Sequence, residues 1–457
     1  MWADEVFERF VEKSPFSVLT RATLEHLFHD SFLDHVFHDH AQVQYHRKLA
    51  FSAVTSLLTQ VVLRCRPSVR AAYRRDGRIT ATLKSVYEKL RHVEPAVCAA
   101  LVRQTAERAG QVLDCWPEAR RPDPVPGLRL RVLDGNYLAG TEHRLAVLRG
   151  EGAAALPGMS VAMRDDRTGL LTRLVCREDA YTNERALIDE LVGWAEADDL
   201  VVADRNFCFP DFLAGVARKR AYFVVRHHQQ VGLTALTELR PAGRSETGEV
   251  YEQEVEVGPA GGRLRLRCVV VKLFRPTQDG DTEIRLLSNV PADQADAVTL
   301  ASVYLRRWTI EHAFQELTDQ LRCEVDTLGY PKAALFGFSL AVCAYNLLAV
   351  VRGALASARG REKVEQELST DAVAQEVSQD SPGLGIALPE EFWGRFGRMT
   401  GAELAGWLRD VARGIPWDRY RKCKRGPKKE VPKKKGGRQR PHVSTARLLQ
   451  ERQTKSQ

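Results

Sequence analysis

No Cys-x-x-Cys pair occurs in this 457-residue chain, and its nine cysteines are scattered. A disulfide framework and a zinc ribbon are therefore excluded as organising devices, and a reducing compartment is expected. No uninterrupted apolar run approaches the ~20 residues that cross a bilayer. The apolar segment from Ala333 to Val351 is interrupted by polar residues and reads as a buried helix. The opening residues, Met1 to Phe10, are acidic and lack the apolar core of a secretory signal. These absences predict a cytoplasmic protein with no membrane partner. Acidic residues are in deficit: 59 Asp and Glu face 67 Lys and Arg, giving a net charge of +8 and a pI near 9.0. Such a balance favours a polyanionic partner, without choosing between nucleic acid and an acidic surface. A 44% hydrophobic, 28% charged composition is that of a globular protein. A chain this long exceeds one compact core, so two to four domains are expected.

The most informative stretch runs from Tyr304 to Leu317. It holds no Pro or Gly, its apolar residues recur three and four apart, and a single helix is predicted. At about 100° per residue, Tyr304, Arg307 and Glu311 share one stripe while Leu305, Ile310 and Leu317 face a core. A carboxylate ligates a hard cation, and an Arg forks onto phosphate. The same stripe also fits an amphipathic helix with an ion-paired outer face. Two upstream segments bear on the choice. Leu128 to Asn136 alternates and ends in Asp134-Gly135, and Leu200 to Phe207 is a short buried-type strand ending in Asp204. Crevices form at the carboxyl ends of strands in α/β sheets. Two strand-end aspartates and a helical glutamate suit a pair of divalent metals acting on a phosphodiester. Taken singly, each Asp also fits a turn or a helix cap.

With those residues in view, the chain resembles the DDE transposases of the insertion-sequence-four type. Tyr304, Arg307 and Glu311 match that family's Tyr-x2-Arg-x3-Glu-x6-Lys signature, and Asp134 and Asp204 match its two aspartates. The resemblance covers roughly residues 125 to 350. It implies a ribonuclease-H-like α/β core with a mixed sheet flanked by helices. It assigns Asp134, Asp204 and Glu311 as catalytic ligands of two Mg²⁺ or Mn²⁺ ions, with Arg307 and Tyr304 positioning DNA. It further implies transposon-end and target DNA as substrates, and a homodimer that joins two ends. Two positions depart from the pattern. Asn206 stands where Gly is usual, and Thr318 replaces the signature Lys, for which Lys332 or Arg322 is the candidate substitute.

The remaining chain is read around that core. Residues 1–122 are predicted to be a helical, DNA-binding domain, with helices over Ala41 to Arg64, Thr80 to Leu90, and onward from Pro95. Arg70, Arg74, Arg75, Lys84 and other cations interleave them, a pattern shared by helical bundles with a solvated face. His26, His29, His35, His38, His40 and His46 cluster without a metal-site spacing, which favours surface or capping roles. Arg121 to Gly127 is a Pro-rich linker. Residues 123–228 and 298–355 form the catalytic domain, with strands over Arg144 to Leu148, Gly158 to Met163 and Leu170 to Cys176. Asp165 to Gly169 is a hairpin turn, and a helix from Asn183 to Ala195 is capped near Thr182. Residues 229–297 are an inserted β-subdomain, with alternating Arg263, Arg265 and Arg267 read as solvent-facing or as DNA contacts. The insert has no Trp, so Trp308 and Tyr304 are the nearest aromatics for stacking on DNA, although a core role is expected for Trp308. Residues 356–418 are a helical region. Residues 419–457 form a basic tail, disordered alone and suited to salt-sensitive phosphate contacts.

Overall fold

The computed structural model describes residues 2–43, 49–138, 145–149, 155–258, 262–277, 280–423 and 442–455. Twelve strands are described: β1 (Arg129–Tyr137), β2 (Ala155–Leu156), β3 (Met159–Asp165), β4 (Leu171–Arg177), β5 (Asp199–Ala203), β6 (Tyr222–Arg226), β7 (Leu233–Ala235), β8 (Arg240–Arg244), β9 (Gly248–Val257), β10 (Leu264–Leu273), β11 (Glu283–Ser288) and β12 (Val443–Ser444). Ten of them make one mixed sheet in the order β4-β3-β1-β5-β6-β11-β10-β9-β7, with β8 pairing β9. The β1-β3-β4 meander is antiparallel, whereas β5 runs parallel to both β1 and β6. This is the ribonuclease-H-like arrangement expected. Every residue of β5 is buried, as its unbroken Leu-Val-Val-Ala run requires of a central parallel strand.

The insert is all strand, as expected, and it joins the catalytic sheet: β11 pairs with β6 and continues the sheet outward. Its arginines point to β9 and are ion-paired there. Arg263 reaches Glu256 at 3.0 Å, Arg267 reaches Glu252 at 2.5 Å, and Arg265 pairs with Glu254. These are diagonal cross-strand pairs, within reach of long side chains on one sheet face.

The helix Pro331–Arg359 backs the sheet. By length and composition it is apolar enough to cross a membrane, yet its most apolar window is 100% buried within the protein. Asn346 sits fully buried in its middle. Its Oδ1 accepts from the Leu171 N–H at 2.8 Å and its Nδ2 donates to the Leu171 carbonyl at 2.9 Å. Strand β4 is a sheet edge, so one amide side chain supplies the pairing that a further strand would otherwise give.

The N-terminal helices do not have a core of their own. Phe51 packs on Phe336 of the long helix at 5.5 Å between ring centroids, and Phe7 meets Trp393 at 6.0 Å. One apolar cluster therefore runs from the N-terminal helices through the long helix to those after residue 360. Helices Phe51–Val62, Leu83–His92 and Pro95–Leu113 are close to expectation, the first beginning later than Ala41. Residues 44–48, and His46 among them, lie outside the described residues. The other histidines do not gather on one point: His26 faces the Phe396 carbonyl, His29 Ser31 and His40 Gln104, while His35 and His38 lie against Asp39. Ala146–Leu148 is a short 3-10 turn where a strand was expected, and 139–144 are outside the described residues. The hairpin turn holds as read, with Gly169 at φ +78° and the Asp165 carboxylate accepting from Thr168 Oγ1 at 2.7 Å.

The tail is corrected in part. Residues 424–441 lie outside the described residues, but 442–455 form β12 and a helix that dock back on the catalytic region. Strand β12 pairs in parallel with β2. Asp179 clamps this segment, accepting from Ser444 Oγ at 2.8 Å and from Arg447 Nε at 2.9 Å. The variant Asp179→Ala should leave the melting temperature nearly unchanged and speed amide hydrogen exchange across 442–455. Unchanged exchange there would remove the clamp from the account.

Candidate active site

Parallel pairing of β1 with β5 brings the two aspartates together. Leu133 lies opposite Ala203, so Asp134 and Asp204 are the next residues along two adjacent strands. Asp134 Oδ1 accepts from the Gly135 N–H at 2.9 Å. Asp204 sits in extended backbone and caps the 3-10 turn Arg205–Phe207, accepting from the Asn206 N–H at 2.8 Å. Asn206 is not among the described residues with positive φ, so the glycine usual there is not needed for this turn.

The signature stretch is two helices, not one. Ala297–Leu305 ends and Trp308–Asp319 begins, with Arg306 and Arg307 between them. Bonds of the i→i+3 kind tighten the chain at this point, from Arg307 N–H to the Tyr304 carbonyl (3.0 Å) and from Thr309 N–H to the Arg306 carbonyl (2.9 Å). The Thr309 hydroxyl also donates to the Arg306 carbonyl at 2.7 Å, competing with the α-helical ladder. The stripe expected from a continuous helix is thus broken, but its residues still converge. Arg307 pairs with Glu311 and lies 3.7 Å from Asp134 Oδ2. Tyr304 is 6% exposed, and the Arg307 guanidinium lies 5.9 Å from its ring centroid.

The electrostatics follow from this crowding. Burial, and then the neighbouring Asp204 charge, push the Asp134 carboxyl up to about 7. Burial also raises Asp204, against the N–H bond of Asn206 and the charge of Arg307. Burial raises the Tyr304 phenol. The site therefore gathers like charge that one arginine only partly offsets. Its donors are all carboxylate oxygens, the chemistry that hard divalent cations take. As the side chains stand, no three His, Cys, Asp or Glu among the described residues close on one point. Arg307 stands between Glu311 and Asp134, so gathering these carboxylates on a cation requires the guanidinium to move.

Two strand-end aspartates, a helical glutamate and an arginine among them invite comparison with known phosphoryl-transfer domains. Residues 149–347 match the family model described as the transposase DDE domain. That region is thus similar to a transposase DDE domain. The matched span includes Asp204, Arg307 and Glu311 and begins after Asp134. A protein of Sinorhizobium fredii (strain NBRC 101917 / NGR234), named "Putative transposase y4zB", is 26% identical over 194 residues. That alignment covers 42% of this chain and 53% of the relative, so the match spans about half the relative's length.

Within the matched region, the two candidate substitutes for the signature lysine have partners of their own. Lys332 Nζ lies 3.8 Å from Glu178, in a cleft with Arg91, Tyr330 and the C-terminal helix. Arg322 donates to the Pro67 carbonyl and ties the end of the signature helix to the N-terminal helices. Thr318, at the signature position itself, bonds the Phe314 carbonyl through its hydroxyl. Its own carbonyl accepts from Arg64 at 2.9 Å, and the Leu321 carbonyl accepts from the same guanidinium at 3.0 Å. A cation thus caps the end of the signature helix, where the helix dipole favours it. The variant Arg64→Ala should lower stability by about 1 kcal/mol, read by thermal melting. No change would show the cap to be inert.

Two further residues belong in this description. Trp308 is 49% exposed, contrary to the core role expected, and the Arg307 guanidinium lies 5.4 Å from its ring centroid. Glu184 was not singled out from sequence. It opens the short turn Glu184–Leu187, and its Oε1 lies 3.5 Å from where a Gly135 side chain would begin. Burial, and further the Asp204 charge, raise its carboxyl. Only the fold could reveal this, since Glu184 is one of many glutamates on a helical pattern.

Proposed function

We propose that this protein is a DNA transposase that cuts and joins DNA at the ends of a mobile element, working in the cytoplasm as a homodimer. The observation that carries the reading is the meeting of Asp134, Asp204 and Glu311 around Arg307, in a chain whose residues 149–347 match the transposase DDE domain. In this reading Asp134, Asp204 and Glu311 hold one or two Mg²⁺ or Mn²⁺ ions. When bound, such ions lower the pKa of an attacking hydroxyl and stabilise the leaving oxygen of the phosphodiester. Arg307, released from Glu311, forks onto the scissile phosphate. Tyr304 backs that guanidinium and limits where it can swing. Trp308, exposed beside Arg307, presents a ring on which a base near the cut can stack. The N-terminal helices of 1–122 bind the element's ends through Arg70, Arg74, Arg75 and Lys84, which are exposed. The basic residues beyond 419 add sequence-independent phosphate contacts.

The test is a labelled duplex carrying the element's own ends, incubated with Mg²⁺ or Mn²⁺, with products resolved as nicked and joined strands. Metal-dependent nicking and joining that vanish in Glu311→Gln are expected. Nicking without joining favours a nuclease on the same core. Tight binding with no cleavage under either metal would leave a DNA-binding regulator.

A further inference from the structure

The break between the two signature helices is held from a distant part of the chain. In a continuous α-helix the Ile310 N–H would reach the Arg306 carbonyl. It bonds the Arg307 carbonyl instead, at 3.2 Å. The Arg306 carbonyl is taken by Thr309, whose N–H donates to it at 2.9 Å and whose hydroxyl donates at 2.7 Å. That hydroxyl accepts in turn from Arg164 Nη1, at the end of β3, at 3.2 Å. We propose that Arg164 is a positioning residue, which holds the Thr309 hydroxyl as a donor and so fixes the break that aims Arg307 and Glu311. The proposal rests on the reading that those two residues act with Asp134 and Asp204 on DNA.

Arg164 is 6% exposed and lies opposite Val132 of β1 in the sheet. The register of β3 with β4 shifts between Met163 and Arg164, a device by which strands re-aim a side chain. The guanidinium is pinned in place. Its Nη1 also donates to Asp166 at 2.8 Å, and Asp166 accepts from Arg121 at 3.2 Å. Its Nη2 lies 3.3 Å from where a Gly169 side chain would begin, so the turn glycine leaves room for it. The ion pair alone gives weak reason for a charge here, because buried pairs are often replaced by apolar residues without loss of stability. The bond to Thr309 supplies a reason.

A hydroxyl has a single proton to give. With Arg164 donating to its oxygen, Thr309 directs that proton to the Arg306 carbonyl, and bonds chained in this way strengthen one another. Each residue that takes the tighter i→i+3 turn rotates the chain about 120°, against about 100° in an α-helix. The break therefore sets the direction that Glu311 faces relative to Tyr304. It also places Arg307 at the start of the second helix, 3.7 Å from Asp134 Oδ2.

Two measurements on the full chain test the proposal. The first is amide hydrogen exchange across 306–310. It should quicken about fivefold or more in Arg164→Met and in Thr309→Val, and stay near the wild-type rate in Thr309→Ser, which keeps the hydroxyl. Combining Arg164→Met with Thr309→Val should add little to either alone, because both remove one chain of bonds. The second is cleavage of the labelled end duplex. There kcat should fall about tenfold or more in Arg164→Met and Thr309→Val with KM for DNA unchanged, and Thr309→Ser should recover it. Circular dichroism checks that Arg164→Met is folded. If it is not, Arg164→Lys, which keeps a charge beside Asp166 without the planar fork, takes its place. Wild-type exchange in the folded Arg164 variant, effects of the two substitutions that simply add, or a change in KM alone would overturn the proposal and leave Arg164 a structural ion pair. A wild type that cuts no DNA would sink the cleavage reading instead, with exchange still deciding whether Arg164 sets the break.

Discussion

The variant Asp134→Asn is expected to lose strand cleavage by at least about a thousandfold while making the metal-free protein more stable at pH 8. The two effects share one cause. Burial and the adjacent Asp204 raise the Asp134 carboxyl to about 7, far above the ~3.9 of an unfolded chain. Between those values the folded state holds a proton that the unfolded state has released. Stability must therefore fall as pH rises through that window, and the penalty is complete above the folded value. For this one group it is on the order of 4 kcal/mol. Asparagine removes the penalty and keeps the shape, so the variant should melt higher at pH 8 and show a flatter pH dependence between 5 and 8, each read by calorimetric melting. A carboxylate held at this disadvantage is intelligible if the site works ionised with a cation bound, since the cation reverses the repulsion. Melting that is identical in the two proteins at pH 8 would contradict the electrostatic account.

Replacing Asn346 with leucine is expected to cost on the order of 3 kcal/mol, although the new side chain is apolar and similar in volume. The amide serves both the N–H and the carbonyl of Leu171, at 2.8 and 2.9 Å, on the edge strand β4. Leucine would leave both backbone groups buried without partners, and each costs more than a typical hydrogen bond contributes. Aspartate offers an acceptor but no donor when ionised, so it should restore only part of the loss. Denaturant unfolding would measure both variants. A cost below about 0.5 kcal/mol for the leucine variant would fall within the range of surface substitutions and show that water reaches this edge.

Much of this architecture was legible in the sequence, for identifiable reasons. The unbroken apolar run ahead of Asp204 could only be a buried strand, and it is β5. Alternation from Leu128 placed β1, and the order Asp134, Asp204, Glu311 pointed to one site before any sheet pairing was known. What failed depended on long-range contacts. A helical pattern without Pro or Gly gave no sign that Thr309 and tight i→i+3 bonds would break the chain at Arg306. Trp308 looked like core because tryptophan usually is, yet the break turns it outward. Strand alternation in the insert located β9 and β10 but could not tell that β11 would join β6 and make one sheet. Lys332 is near the signature in sequence, and Glu178 holds it elsewhere. Glu184 required the opposite inference, because only the packed turn brings it against Gly135.

The central claim is that Asp134, Asp204 and Glu311 act as one divalent-cation site. Titration of Mn²⁺ into the wild-type chain, followed by the loss of the free ion's paramagnetic resonance signal, tests it most directly. The account predicts saturable uptake that weakens at least about tenfold in each of Asp134→Asn, Asp204→Asn and Glu311→Gln, with Arg64→Ala as an unaffected control. Uptake that is the same in the wild type and the three carboxylate variants, or absent from the wild type in the presence of bound DNA, would contradict it.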